Sequence, residues 1–456
     1  MSIEKTGFRT TVKKIDGDLL TPILIFGRLK GKQKFLLESS SMHEGSGRYS
    51  FMGMDPRKSY SGRGNKIEEY VYGTGKSYTH DGDVVGLLKR LMPRIVDNND
   101  FPFTGGAVGY FGYGAAYDSG NQPKDDVGLP DVNFNIYETV IIFDHVLQEV
   151  TLLRTEIGAE ASKYDLDELA EQILTASKVK ETTYELSNFT SGLTQDEFEA
   201  LVRKSIEYIE AGEVSQVVVS RRLDADFTGD PFLLYRKLRK RNPSPYMYYM
   251  EFADHVVVGA SPESLVGVSN GIVMTNPIAG TRRRGKDKAE DLALEKELLA
   301  DPKELSEHEM LVELGKDDIG KVCVPGTVEV TSHMEVVRYQ HVMHIVSEVK
   351  GQLSHSMHAL DALTACLPAG TVTGSPKKRA MEIIDELENV HRGIYGGAIG
   401  YIGFNGNMDF ALTIRTLLIK NNKAYVQAGA GIVKASVPRL EYKETVNKAR
   451  SLLELT

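Results

Sequence analysis

No tryptophan occurs anywhere in the 456 residues, and there are only two cysteines, Cys323 and Cys366. Two cysteines cannot build a disulfide framework, and their scarcity fits a reducing compartment, so the chain reads as cytoplasmic. No apolar run approaches the ~18 residues that a membrane helix requires. The opening "MSIEKTGFRT" lacks the apolar stretch of a secretory signal. Basic excess is missing too: 63 acidic against 54 basic side chains leave a formal charge of −9. With no basic stripe interleaved with aromatics, nucleic acid is excluded as a main partner, although a local pocket can still hold an acidic small molecule. What remains, 41% hydrophobic and 26% charged residues, is an ordinary globular composition.

Short apolar runs separated by Gly and Asn/Asp turns fill the first 150 residues ("KFLLES", "RYSFMGM", "TVIIFDHVL"), the pattern of an antiparallel sheet. Segment 156–193 reads as a surface helix and a linker. It separates an N-terminal region, 1–180, from a second region, 190–456. Thr194 and Glu197 have capping-box spacing and open a helix that Gly212 ends. "GGAVGYFG" (105–112) returns as "GGAIGYIG" (396–403), identical at six of eight positions, which predicts equivalent strands in two related sheets. Neither copy has the βαβ context of a dinucleotide site. A strand-heavy first third and longer helices later make the fold class α+β.

Two Glu-x-x-Glu elements are the first chemical candidates. Glu304 and Glu307 lie one helical turn apart after Pro302, as do Glu441 and Glu444 after Pro438. Such pairs are common on solvated helices, and Asp301 to Glu304 is itself a capping spacing. If the pairs converge, four carboxylates need a cation, and oxygen-only ligation selects Mg²⁺. "AGAGIV" (428–433) leaves backbone N–H groups open to an anion, a weak signal alone. "PAGTVTGSPKK" is not a phosphate-binding P-loop, since Ser-Pro follows Gly374. Val342, Ile345, Val346 and Val349 around His344 fit the stripe of a helix, on which a histidine is more often a packed residue than a catalyst.

In this order, "QVVVSRR" (216–222), "NPSPYMYY" (242–249), "GASPES" (259–264), "PIAGTRRRG" (277–285), "ELSEHEMLVELGKDDIGKV" (304–322), "RYQHVMHIVS" (338–347), "PAGTVTGSPKKRAMEIIDELE" (368–388), "YGGAIGY" (395–401), "ALTIRTLLI" (411–419) and "AGAGIV…EYKETVNKA" resemble the chorismate-utilising enzymes, most closely their anthranilate synthase large-subunit branch. The resemblance implies one intertwined unit of two large antiparallel sheets packed face to face with helices outside. It implies chorismate held on Mg²⁺, with Glu307 and Glu444 as direct ligands and Glu304 and Glu441 close by. Thr281, Tyr395, Arg415, Gly429, Gly431 and Lys448 would hold the substrate carboxylates. Glu263 would be the general acid for the departing 4-hydroxyl, with His344 and Thr371 around the C2 and enolpyruvyl positions.

Two positions separate relatives. Water-adding members carry a lysine base where this chain has Gln216, which fits ammonia as the attacker. Aminodeoxychorismate synthases carry a nucleophilic lysine where this chain has Ala279, so direct attack at C2 is implied, with aminodeoxychorismate or aminodeoxyisochorismate synthesis as the alternatives. No glutaminase-like cysteine setting is present, which implies a separate glutamine amidotransferase subunit as partner in a hetero-oligomer. "LLES" (36–39) and "NPSPYM" (242–247) resemble the family's tryptophan feedback pocket, with Ser39, Pro245, Tyr246 and Met247 as contacts. Departures are few: Arg283, Asp317 and Ser375 replace a usual Pro, Asn and Ala. In "TRRRG", Arg283 and Arg284 read as a solvated turn, and Arg282 as a residue that orients the Thr281 loop.

Overall fold

The computed structural model describes residues 8–39, 47–93, 95, 99–116, 123, 125–157, 165–175, 182–339 and 342–455. Its strands form one sheet of thirteen and one of twelve, antiparallel at every pairing among the described residues. The larger sheet takes Phe8–Asp16, Phe35–Glu38, Tyr49–Gly53, Thr139–Asp144 and Glu149–Ile157 from the first part of the chain. These continue through Tyr246–Glu251, His255–Ser261, Thr416–Lys420 and Lys423–Ile432 to Gln216–Gly229. The smaller sheet is equally mixed, with Gly106–Phe111 and Val132–Tyr137 beside Ala398–Gly403 and Met408–Leu412.

Strand alternation sends one set of side chains between the sheets. Phe35, Phe51, Tyr248 and Met250 of the larger sheet meet Val108, Tyr110, Ile399 and Tyr401 of the smaller in one aromatic-rich core. Each such side chain contributes about 1.5–3 kcal/mol on burial. The outer faces are covered by helices. Pro22–Arg28, Leu166–Leu174 and Pro231–Arg241 pack on the larger sheet, and Val84–Leu91, Pro302–Gly320 and Ala359–Cys366 on the smaller. The helix Gln195–Glu210 has the expected Thr194–Glu197 capping box, and Gly212 follows it at a positive φ of 78°.

Two expectations change. The Gly-rich repeats do not lie in two sheets: Gly106–Phe111 and Ala398–Gly403 are neighbours in one, with Gly109 opposite Gly400. A Cβ would lie 1.9 Å from the Asn133 carbonyl oxygen at Gly109, and 2.0 Å from that of Asp409 at Gly400. Only glycine permits this closeness of neighbouring strands. His344 sits on a strand, Val342–Gln352, not on a helix. Met343, Ile345, Ser347 and Val349 are its buried side, so the apolar period is two, and the three-and-four spacing of its β-branched residues is coincidental.

Candidate active site

The two Glu-x-x-Glu helices begin as the sequence requires. Asp301 caps Pro302–Gly320 by accepting from the Lys303 and Glu304 N–H groups, and Pro438 opens Pro438–Leu453. Fixed first turns set the direction in which each pair of carboxylates projects. The pairs reach each other's field. Burial raises Glu307 above the usual carboxylate range, and the negative charges of Glu304 and Glu444 push the same way. Glu441 is raised by burial and by Glu444.

Among the described residues, no group of three or more His, Cys, Asp and Glu side chains is arranged to hold a metal ion by itself. An all-oxygen set with surplus negative charge nevertheless suits a hard divalent cation that completes its shell with waters and ligand oxygens. Lys448 answers part of that charge, donating to Glu444 (2.7 Å) and to the Gly429 carbonyl (3.2 Å). Arg282 answers another part. It reaches Glu297 and Asp301 at 2.8 Å, Glu304 at 3.2 Å and the Thr281 carbonyl at 2.9 Å, and so ties the Thr281 strand to the glutamate helix.

Opposite the carboxylates, the strand Lys423–Ile432 presents Gly429 and Gly431. A side chain on Gly429 would meet the Tyr395 hydroxyl at 2.7 Å, and one on Gly431 the Gln216 amide at 2.7 Å. The glycines thus leave room for Tyr395, Gln216 and a ligand. Burial pushes the Tyr395 phenol up to about 12, so it stays a donor at neutral pH. Arg415, at a left-handed φ of 52°, is half-buried within the field of Tyr395, Glu263 and Glu444. A non-glycine residue held there costs on the order of 1–3 kcal/mol, a type of strain that gathers at functional sites.

Glu263 is raised by burial, an effect opposed by a 2.9 Å hydrogen bond from Thr371 and by the charges of Lys448 and Arg415. His344 is lowered by burial. Its Nδ1 lies 2.9 Å from the Gly280 carbonyl oxygen and 3.0 Å from Thr281 Oγ1. A carbonyl only accepts, so Nδ1 carries the proton and Nε2 is left to take one. Ala279, beside this pair, contributes no functional group and is buried.

Every expected catalytic, substrate and metal residue therefore falls in one connected set. The four expected regulatory residues lie elsewhere, on or next to two adjacent strands. Ser39 follows Phe35–Glu38, Met247 pairs with Glu38, and Pro245 precedes Tyr246. Tyr246 donates to Asp409 (3.1 Å), whose carboxyl burial raises to about 6. Tyr246 is also paired with Ser261, two residues before Glu263. Sequence reasoning missed Glu38, gripped by Arg239 at 2.8 and 2.9 Å and by Tyr235 at 2.5 Å. Its only signal was a charge inside an apolar strand. Arg284 corrects the solvated-turn reading: it is bound to Asp291 and to the Tyr339 carbonyl, whereas Arg283 is exposed and meets only Glu290 and the Arg284 carbonyl.

Residues 36–454 match the model of a family described as chorismate binding enzyme. Among curated proteins, anthranilate synthase component 1 of Lactococcus lactis subsp. lactis is 46% identical, over 97% of this chain and 99% of that protein. The same component from Acetivibrio thermocellus is 43% identical, over 97% and 94%. The crystal structure of anthranilate synthase component I from Streptococcus pneumoniae superposes with a TM-score of 0.78 at 39% identity, covering 96% of this chain and 98% of that one. The menaquinone-specific isochorismate synthase of Escherichia coli shares the fold at 19% identity, TM-score 0.75, over 99% and 95%.

Proposed function

Because the chain belongs to the chorismate-binding enzymes, in their anthranilate synthase component 1 branch, we propose that it joins ammonia to chorismate and releases anthranilate, pyruvate and water, an amination and elimination that serves tryptophan synthesis. The observation that carries this reading is the convergence of the two glutamate helices on Lys448, Arg415 and Glu263. Carboxylates for a cation, cations for a dicarboxylate and a carboxyl that burial inclines toward its protonated form adjoin one another there.

Arg415, Lys448, the Tyr395 hydroxyl and the open backbone at Gly429 and Gly431 bind and orient the substrate carboxylates. Glu263, whose hold on its proton burial strengthens, gives that proton to the departing 4-hydroxyl while ammonia bonds to C2 and the ring double bonds shift. Gln216 cannot deprotonate water, and neutral ammonia needs no base. His344 offers Nε2 to the C2 proton as pyruvate leaves, and Thr281 and the Gly280 carbonyl hold its ring. Glu307 and Glu444, with Glu304 and Glu441, would hold Mg²⁺, which when bound supplies positive charge for a substrate carboxylate.

Ammonia comes from a glutamine amidotransferase partner, since Cys323 and Cys366 are both buried, with thiols that burial raises to about 11 and about 12. Tryptophan bound at Ser39, Pro245, Tyr246 and Met247 lowers chorismate affinity, and the Tyr246–Ser261 pairing leads toward Glu263. One assay tests the reading: the pure chain with chorismate, Mg²⁺ and ammonium, followed by anthranilate fluorescence and pyruvate release. Both products should appear with ammonium and neither with glutamine alone. Chorismate consumption without pyruvate would overturn the assignment in favour of an enzyme that stops at an aminated intermediate.

A further inference from the structure

Beside Tyr395 lies an ion pair that no step above uses. Arg392 and Glu388 are 6% and 5% exposed and meet through two hydrogen bonds, Nε to Oε2 at 2.9 Å and Nη2 to Oε1 at 2.6 Å. The guanidinium also donates to the Val372 carbonyl (2.7 Å) and the Val218 carbonyl (2.8 Å). Glu388 Oε1 accepts from the Ser220 N–H and hydroxyl at 2.7 and 2.8 Å. The Arg392 guanidinium lies 4.7 Å from the Tyr113 ring centre and 5.6 Å from that of Tyr395, and its backbone carbonyl accepts from the Tyr395 N–H.

A buried ion pair adds little net stability over apolar residues of similar volume, so its four-way geometry calls for another explanation. Val372 follows Thr371 in the Gly370–Val372 turn, and Val218 lies two residues beyond Gln216. One planar group therefore fixes the turn that carries the partner of Glu263, the strand that carries Gln216, and Tyr395 itself.

We propose that Arg392, oriented by Glu388, is a positioning residue that holds Thr371 against Glu263 and Tyr395 against Gly429. This rests on the role given above to Glu263 as the acid. Lysine keeps the charge at position 392 but lacks the fork that reaches both carbonyls.

The test is Arg392→Lys, together with the charge-free pair Glu388→Gln/Arg392→Met, which leaves no unpaired buried charge if the single variant does not fold. Two readouts are needed: kcat and KM for chorismate at saturating ammonium, and the ionisation midpoint of Glu263. The midpoint comes from the infrared carboxylate band, as a difference against Glu263→Gln. Thr371, Lys448 and Arg415 face that carboxyl, and all three favour its ionised form. Loosening Thr371 should move the midpoint to higher pH. We expect kcat to fall about 10- to 100-fold, as misplacement from outside the chemistry does, with KM raised through Tyr395. Adding Arg392→Lys to Thr371→Val should move the midpoint no further than Thr371→Val alone. A midpoint that stays put in a folded variant, an additive shift in the double variant, or failure of both network variants to fold would overturn the proposal. Absence of turnover in the unaltered chain would sink the functional reading instead, and the midpoint still tests the positioning.

Discussion

Glu307 shows what a single residue reveals and conceals. Its spacing to Glu304 announces a helix face, but nothing local says that Glu444, far along the chain, shares its surroundings. Burial first, then Glu304 and to a lesser degree Glu444, raises its carboxyl, and this dictates what Glu307→Gln does. Removing a partly buried charge held near like charges should leave the melting temperature unchanged or higher. Mg²⁺ affinity, read by titration calorimetry, should fall by more than about 10-fold, the lower end of what even outer-shell changes produce at metal sites. Undiminished Mg²⁺ binding would remove Glu307 from the site. Arg284 and Arg392 were illegible for a related reason. A cation in sequence has no visible partner, and the four-residue spacing of Glu388 and Arg392 is not that of a helix face, because the helix has already ended at Leu387.

Among elements, the strands and caps were legible and their neighbours were not. Thr194, Asp301, Pro302 and Pro438 announce helix starts through local hydrogen-bonding chemistry, which needs no tertiary information. The segment around His344 was misread because its valines and isoleucines satisfy both the helical and the strand period, and only pairing decides between them. The glycine repeats named two strands without saying that they touch. The close approach of each repeat to its outer neighbour, the Asn133 carbonyl at Gly109 and the Asp409 carbonyl at Gly400, makes a sharp prediction. Gly400→Ala and Gly109→Ala should each destabilise by about 1–3 kcal/mol, the usual range for overpacking, by denaturant unfolding. Gly192→Ala, where nothing lies within 4 Å of the added carbon, should be close to neutral. Equal effects at all three would mean that the strands can part at no cost.

For the whole molecule, composition and pattern reached only the α+β class; the resemblance implied two sheets in one intertwined unit, and the strand pairings show that each sheet draws on both parts of the chain. Phe35–Glu38 pairs with Tyr246–Glu251, and Gly106–Phe111 with Ala398–Gly403. A boundary near residue 180 is accordingly a division of the sequence alone. It crosses both sheets, so calorimetry should record one cooperative unfolding transition and the isolated segment 1–180 should not fold. Two well-separated transitions would show two independent units.

The same pairing order reaches back to synthesis. The strand Gln216–Gly229 has its long partner in Lys423–Ile432, and His255–Ser261 has its own in Thr416–Lys420. On the ribosome, the larger sheet cannot close until almost the last residues have emerged. For most of translation, the faces that later form the inter-sheet core have no partner to cover them. A chain built this way depends on whatever shelters it while it is being made, and a truncated copy has no smaller native state to fall back on.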